Sequence, residues 1–180
     1  MTSPIQQIRQ ETTTSQIEQY LRQSEGMWHS ERRYYTLPDG KTQEWVSRLT
    51  VKFLEQDSPE LIKLAELHDL SDSHALVCGS YVEWESTQST SDRPNSQGST
   101  IFGVLGNILY RDRGFATKDP INAKYYLPNP DTLCLRTEYN GSVFEEEIKH
   151  IGTKYRTRQS IITRAGEQQM IGQYLEKRIQ

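Results

Sequence analysis

Two arginines stand two apart near the end of the chain, Arg156 and Arg158 in "KYRTRQS". On an extended segment they point the same way. Facing water, they would be ordinary solvated charges. Facing the inside of a barrel, they would hold carboxylates, because the planar guanidinium fork accepts a carboxylate through two parallel bonds. On the segment before them, "FEEEIKHI" places Glu146 on one face with Ile148 and His150, while Glu145, Glu147 and Lys149 face the other way. An acidic run is usually a wet face. Glu146 shares its side with an apolar residue, so it is the inward candidate. A third arginine lies in "GMWHSERRYYT", residues 26 to 36. There Trp28, Ser30, Arg32 and Tyr34 form one strand face, and His29, Glu31, Arg33 and Tyr35 the other. The stretch is either a polar edge strand or one wall of a pocket for a flat, anionic, aromatic ligand. In the second case Arg32 binds and Arg33 is surface. Trp84, alternating with Val82, reads as core or as part of such a wall. Trp45, on a face with Leu49 and Val51, reads as core.

Other chemistry finds no support. His29, His68, His74 and His150 lack metal-ligand spacing, so no metal is expected. No phosphate-binding glycine loop, dinucleotide fingerprint or G-x-S-x-G elbow occurs, and no self-contained catalytic triad can be assembled. The net charge of -3 argues against a general nucleic-acid binder. Cys78 and Cys134 have no C-x-x-C spacing; buried core thiols are the expected state. The start "MTSPIQQIRQE" is too polar for a signal peptide, and no apolar run approaches a membrane span. These features predict a cytoplasmic protein that does not enter membranes.

The positioning elements follow from periodicity. The 180 residues suit one domain with a sizeable core. Apolar content is only 34%, so ten tyrosines and three tryptophans must supply much of the buried surface. A helix is predicted over about 4–24, with Ile17, Tyr20 and Leu21 on a narrow face that lies against one end of a larger body. From Trp28 the period becomes two. "LPDGKT" turns the chain into "QEWVSRLTVKFL", making a hairpin. A second helix is predicted over about 58–68, capped by Ser58, with Pro59 at its first position and Leu61, Ile62, Ala65 and Leu67 on its apolar side. "ALVCGSYVEWES" returns to strand, and small polar residues over about 86–98 predict a mobile loop. After it come "STIFGVLG", "ILYRDRGFA", "INAKYYL", "DTLCLRTEY", "SVFEEEIKHI", "TKYRTRQSIIT" and "EQQMIGQYLEKR", with Asn140-Gly141 the sharpest turn. Nine or ten antiparallel strands in meander order most simply close into an up-and-down barrel able to hold one small ligand. The predicted class is all-β with flanking helices.

With these segments in order, the chain resembles a known family. "W-H-S-E-R-R" is similar to the W-x-S-Q-R-T opening of S-type phycobiliprotein lyases, the CpcS/CpeS/CpcU family. The likeness runs on through "YVEWES", "GSTIFGVLG", "LYRDRGFA", "LRTEYNGSVFEEEIKHIGTKYRTRQSI" and "GQYLEKRI", from about residue 15 to the end. It implies a ten-stranded barrel like those of lipocalins and fatty-acid-binding proteins. It implies binding of an open-chain bilin such as phycocyanobilin, and its delivery to a cysteine of a phycobiliprotein α or β subunit as a thioether. The resemblance gives Arg32 a bilin-binding role and Arg156 and Arg158 the bilin propionates. It places Glu146, Trp84 and Glu176 at the site, with Glu146 as proton donor. Trp28 and Tyr34 join the bilin-binding set, Tyr34 and Trp84 packing on the flat face. Thr90 stands where relatives carry a second tryptophan, and Tyr35 where they often carry histidine. The family also contains chains that act only in a heterodimer with a CpcS-type partner. The open readings are therefore a lyase acting alone or as a homodimer, a lyase subunit, a non-catalytic bilin carrier, and a barrel filled by its own side chains.

Overall fold

The computed structural model describes residues 2–88, 96–115 and 117–179. Ten antiparallel strands pair in chain order, and the last pairs with the first, so the barrel is closed. They are β1 (Gly26–Thr36), β2 (Thr42–Glu55), β3 (Cys78–Gln88), β4 (Ser96–Leu105), β5 (Ile108–Arg111), β6 (Ile121–Asn129), β7 (Thr132–Tyr139), β8 (Ser142–Ile151), β9 (Tyr155–Arg164) and β10 (Glu167–Arg178). Helix α1 (Pro4–Ser24) precedes them, and α2 (Pro59–Leu67) joins β2 to β3. The closed meander is the architecture predicted from strand order. Closure leaves no free edge for pairing with another chain.

Alternation decides what goes inside. In β2, Ser47, Val51 and Phe53 are buried, while Arg48, Thr50 and Lys52 face water. Turn chemistry sets the register: Asn140 and Gly141 both take positive φ (51° and 72°) between β7 and β8, the backbone of a two-residue hairpin turn.

Helix α1 begins with a reciprocal cap between Ser3 and Gln6. Its second half carries Ile17, Tyr20 and Leu21 into the barrel core beside Phe53, Cys78, Val104, Leu109, Leu133 and Leu135. The Tyr20 hydroxyl donates to the Ile148 carbonyl at 3.0 Å. The helix thus plugs the end of the barrel where β1 begins, as its narrow apolar face predicts. In its first half Ile5 and Ile8 are exposed.

Helix α2 lies outside, against β3 and β4. Gly79 and Gly103 are directly paired across those strands. A Cβ on Gly79 would come within 2.7 Å of Leu61, and one on Gly103 within 2.7 Å of Leu76. The two glycines make the dent that lets a helix approach the sheet.

Several expectations change. Ser58 occupies the N-cap position, but its hydroxyl makes no capping bond. The buried side of α2 is Leu61, Leu64 and Ala65, the i, i+3, i+4 set, and Leu67 is exposed. Trp45 points inward but is only half-buried, because its strand begins near the unplugged end. β5 covers only the first four residues of "ILYRDRGFA". The polar stretch over 86–98 is largely shortened as a loop: β3 runs to Gln88 and β4 begins at Ser96. The central part of that stretch, with Thr90, lies outside the described residues. Among the described residues, no helix is long and apolar enough to cross a membrane.

Candidate functional site

Apolar side chains fill the plugged half of the barrel. Towards the other end the interior opens into a cavity of about 330 Å³. Tyr20 and Leu21 form its floor, Leu49, Val51 and Leu133 part of its wall, and Trp84, Arg113 and Phe115 lie towards its mouth. Among the described residues, five arginines line it: Arg32, Arg111, Arg113, Arg156 and Arg158. Their environments differ, and the differences define the chemistry.

Arg156 and Arg158 face inward, so the solvated alternative is excluded. Both are already paired. Arg156 bonds the fully buried Glu176, which also accepts from the Ser30 hydroxyl at 3.2 Å. The Arg156 guanidinium lies 4.7 Å from the Trp28 ring centre, and that of Arg178 lies 4.3 Å from it. The indole N–H of Trp28 donates to the Ser24 carbonyl at 2.9 Å. Trp28 is wholly buried and Glu176 sits behind Arg156, so neither lines the cavity. β1 and β10 hold them at the plugged end, under α1. His150 belongs to the same layer, 4.7 Å from the Tyr20 ring and 3.0 Å from the Ser24 hydroxyl. Burial first, then the charges of Arg156 and Arg178, push its pKa down to about 4.

Arg158 bonds Glu146. Burial alone would push the Glu146 carboxyl up, but the charges of Arg158 and Arg111 outweigh it and hold the group below the usual carboxylate range. Burial likewise works against the charged form of Arg158, and Glu146 more than offsets it, leaving Arg158 above its ordinary value. The pair is therefore ionised. Glu146 is inward, as the alternation of β8 predicts, yet it is a carboxylate committed to Arg158.

Arg32 has no carboxylate. One of its terminal nitrogens donates to the hydroxyls of Ser47 and Ser86, the latter at 2.7 Å, and the other reaches Tyr34 at 3.4 Å. The Tyr34 hydroxyl meets that of Tyr174 at 2.9 Å, with the two rings edge to face. Arg33, its neighbour, turns outward and pairs with Glu44, as its position on the other face requires.

Arg111 and Arg113 were not singled out from the sequence. The signal for Arg111 was alternation, since Leu109 is buried inward and Arg111 follows on its side, whereas Arg113 lies beyond the end of β5. The Arg111 guanidinium lies 4.7 Å over the Phe102 ring, and its Nε has no hydrogen-bond partner. Arg113 lies 5.6 Å from the Trp84 ring centre. Trp84 itself is half-buried and lies across Gly98, where a Cβ would come within 2.6 Å of the ring. Glycine at that position gives the indole its place at the mouth.

Among the described residues, no cysteine lines the cavity. Cys78 and Cys134 are free and buried, and burial pushes the Cys78 thiol up to about 12, far from thiolate.

The geometry defines a ligand-binding β-barrel, closed at one end by a helix, whose interior holds more guanidinium than carboxylate and several flat rings. The chain belongs to the CpeS-like protein family, whose model matches residues 16–179. It is 64% identical over 165 residues to a protein of Nostoc sp. (strain PCC 7120) named CpcS 2, covering 92% of each chain. It is 32% identical to the phycocyanobilin lyase subunit CpcS of Picosynechococcus sp. (strain PCC 7002), covering 90% of this chain and 85% of that one. Its fold matches the S-type phycobiliprotein lyase CpeS of Guillardia theta with a TM-score of 0.77, over 93% of this chain and 97% of that one, at 19% identity.

Proposed function

We propose that this protein is a chromophore lyase that binds an open-chain bilin, such as phycocyanobilin, and presents it to a cysteine of a phycobiliprotein subunit. The observation that carries the reading is the charge imbalance of the cavity: among the described residues, five arginines line it, and the two carboxylates bonded to them, Glu146 and Glu176, answer only two. Such a site suits a ligand with two propionates and a conjugated face. Tyr34, Tyr174 and Trp84 supply flat surfaces for that face.

The reaction asks little covalent chemistry of the protein. The acceptor's thiol adds across the exocyclic ethylidene of ring A. Sulfur bonds to the outer carbon and the proton goes to the bilin. No bond of the lyase changes, and no oxidant is needed. The protein's contribution is orientation and exclusion of wrong-face attack. A cavity of about 330 Å³ is at the small end for ligand pockets and takes only part of a four-ring chain. The remainder lies at the mouth by Trp84 and Arg113, where an acceptor thiol can reach. Glu146, held ionised, serves as the anchor of Arg158 rather than as the proton donor.

The test is to mix purified protein with phycocyanobilin, then add an apo-phycobiliprotein subunit. A shifted bilin absorption followed by covalent, denaturation-resistant colour on the acceptor is expected. The assay is repeated with a CpcS-type partner, since a relative carries the name of a lyase subunit. Transfer only with the partner selects the subunit reading. Binding without transfer in either case selects a carrier. Unchanged bilin spectra would sink the proposal.

A further inference from the structure

We propose that Tyr34 is the catalytic acid of the transfer and gives its phenolic proton to ring A as the acceptor's thiol adds. The inference rests on the lyase reading and fills the place that Glu146 leaves open. Sulfur bonds to the outer carbon of the ethylidene. The π pair of that double bond passes to the ring carbon, which takes the proton of Tyr34. The proton released by the thiol restores the phenol through solvent. Atoms and charge balance, and no bond of the protein is altered at the end of the cycle.

Few groups at the cavity hold a proton that they can give. Arginine does not deprotonate in proteins. Glu146 is held ionised by Arg158 and Arg111. His150 lies outside the lining and is neutral above about pH 4. Aliphatic hydroxyls are far weaker acids than phenols. Among the described residues that line the cavity, the acidic protons left belong to Tyr20, Tyr34 and Tyr174. Tyr20 spends its proton on the Ile148 carbonyl at the plugged end. Tyr174 is buried, and burial holds it as the phenol. With Tyr174 donating across their 2.9 Å contact, the Tyr34 oxygen accepts from Tyr174 and, at a longer 3.4 Å, from Arg32. Its own proton is then left for the cavity. Ser47 and Ser86 fix the guanidinium beside it. A phenolate formed on Tyr34 would therefore meet a cation and a donated hydrogen bond already in place.

Position favours Tyr34 as well. β1 runs from the plugged end to Thr36 at the open one, and Tyr34 is its last inward residue but one. It is half-buried, so solvent can return a proton to it. Across the ladder it faces Gly172, where a Cβ would come within 3.1 Å of the Tyr34 ring and 3.0 Å of the Tyr174 ring. Glycine there lets the two rings meet.

The experiment loads the protein with phycocyanobilin and follows thioether formation on an apo-phycobiliprotein subunit in a single turnover. The rate of the acceptor with free phycocyanobilin is subtracted. The dissociation constant of the bilin is read separately by visible titration, and the thermal midpoint of each variant is recorded. Tyr34→Phe keeps the ring and loses only the hydroxyl. It should slow transfer by at least about tenfold, towards the hundredfold usual for a lost acid, while the dissociation constant changes less than about tenfold and the midpoint holds. Tyr174→Phe keeps the acid and removes its donor, so it should slow transfer by a smaller factor. Transfer by Tyr34→Phe slowed less than about tenfold overturns the role while the lyase reading stands. So does a variant that binds bilin poorly but transfers what it has bound at the full rate, since Tyr34 would then be a binding residue. If the unaltered protein binds the bilin and transfers none, with or without a CpcS-type partner, the lyase reading falls and the role of Tyr34 falls with it.

Discussion

His150 shows how a residue that looks chemical can be structural. Its ring packs on Tyr20, meets the Ser24 hydroxyl and faces Arg156 and Arg178, so protonation would add a third cation to a buried layer. Its pKa falls from an ordinary 6.5 to about 4. The unfolded chain therefore takes up this proton first as pH drops. The stabilisation is complete above pH 6.5 and is lost progressively down to about 4, where the folded protein also binds the proton. The expected loss over that window is about 3 kcal/mol. Urea unfolding across it should show a clear slope for the wild type and a flatter one for His150→Gln; parallel slopes would contradict the assignment. Among the arginines, sequence spacing put Arg156 and Arg158 on one common face without saying whether it faced water or the interior, and Arg32 on the face opposite Arg33; all three line the cavity. Spacing could not tell that Glu176 and Glu146 answer two of them, since ion pairing depends on which strands become neighbours.

At the scale of elements, local chemistry set the turns and the helices with few exceptions. Asn140-Gly141 was legible because asparagine and glycine tolerate positive φ. The β9–β10 turn was not marked so clearly, because Ala165 adopts a φ of 52° ahead of Gly166. An alanine in the left-handed region is strained by its Cβ. Ala165→Asn should raise stability by about 0.5–1 kcal/mol, read as a higher urea midpoint at constant slope. No gain would show that the turn relaxes elsewhere. The polar stretch after β3 was read as a loop from about residue 86. Pairing with β4 overrides that local bias as far as Gln88, and Ser96 already lies in the ladder.

For the whole molecule, α1 and the barrel share one core, to which the helix contributes Ile17, Tyr20 and Leu21. Ile17→Ala should cost about 2–5 kcal/mol by leaving a hole among Tyr20, Phe53 and Leu133, whereas Ile8→Ser should change stability by no more than about 0.5 kcal/mol. Equal effects in chemical denaturation would mean that the helix does not plug the barrel as described. The sequence by itself determined the alternation of each strand, the order of the strands, the helix positions, the inward side of Glu146 and the common face of Arg156 and Arg158. Those are properties of period and turn, which act over a few residues. Closure of β1 onto β10 decided the rest. It buried Trp28 and Glu176 outside the cavity lining, matched Arg156 with Glu176 and Arg158 with Glu146, and left Arg32 among neutral hydroxyls in the same wall. Charge balance inside a barrel is a sum over strands far apart in the chain, and only the assembled wall performs it.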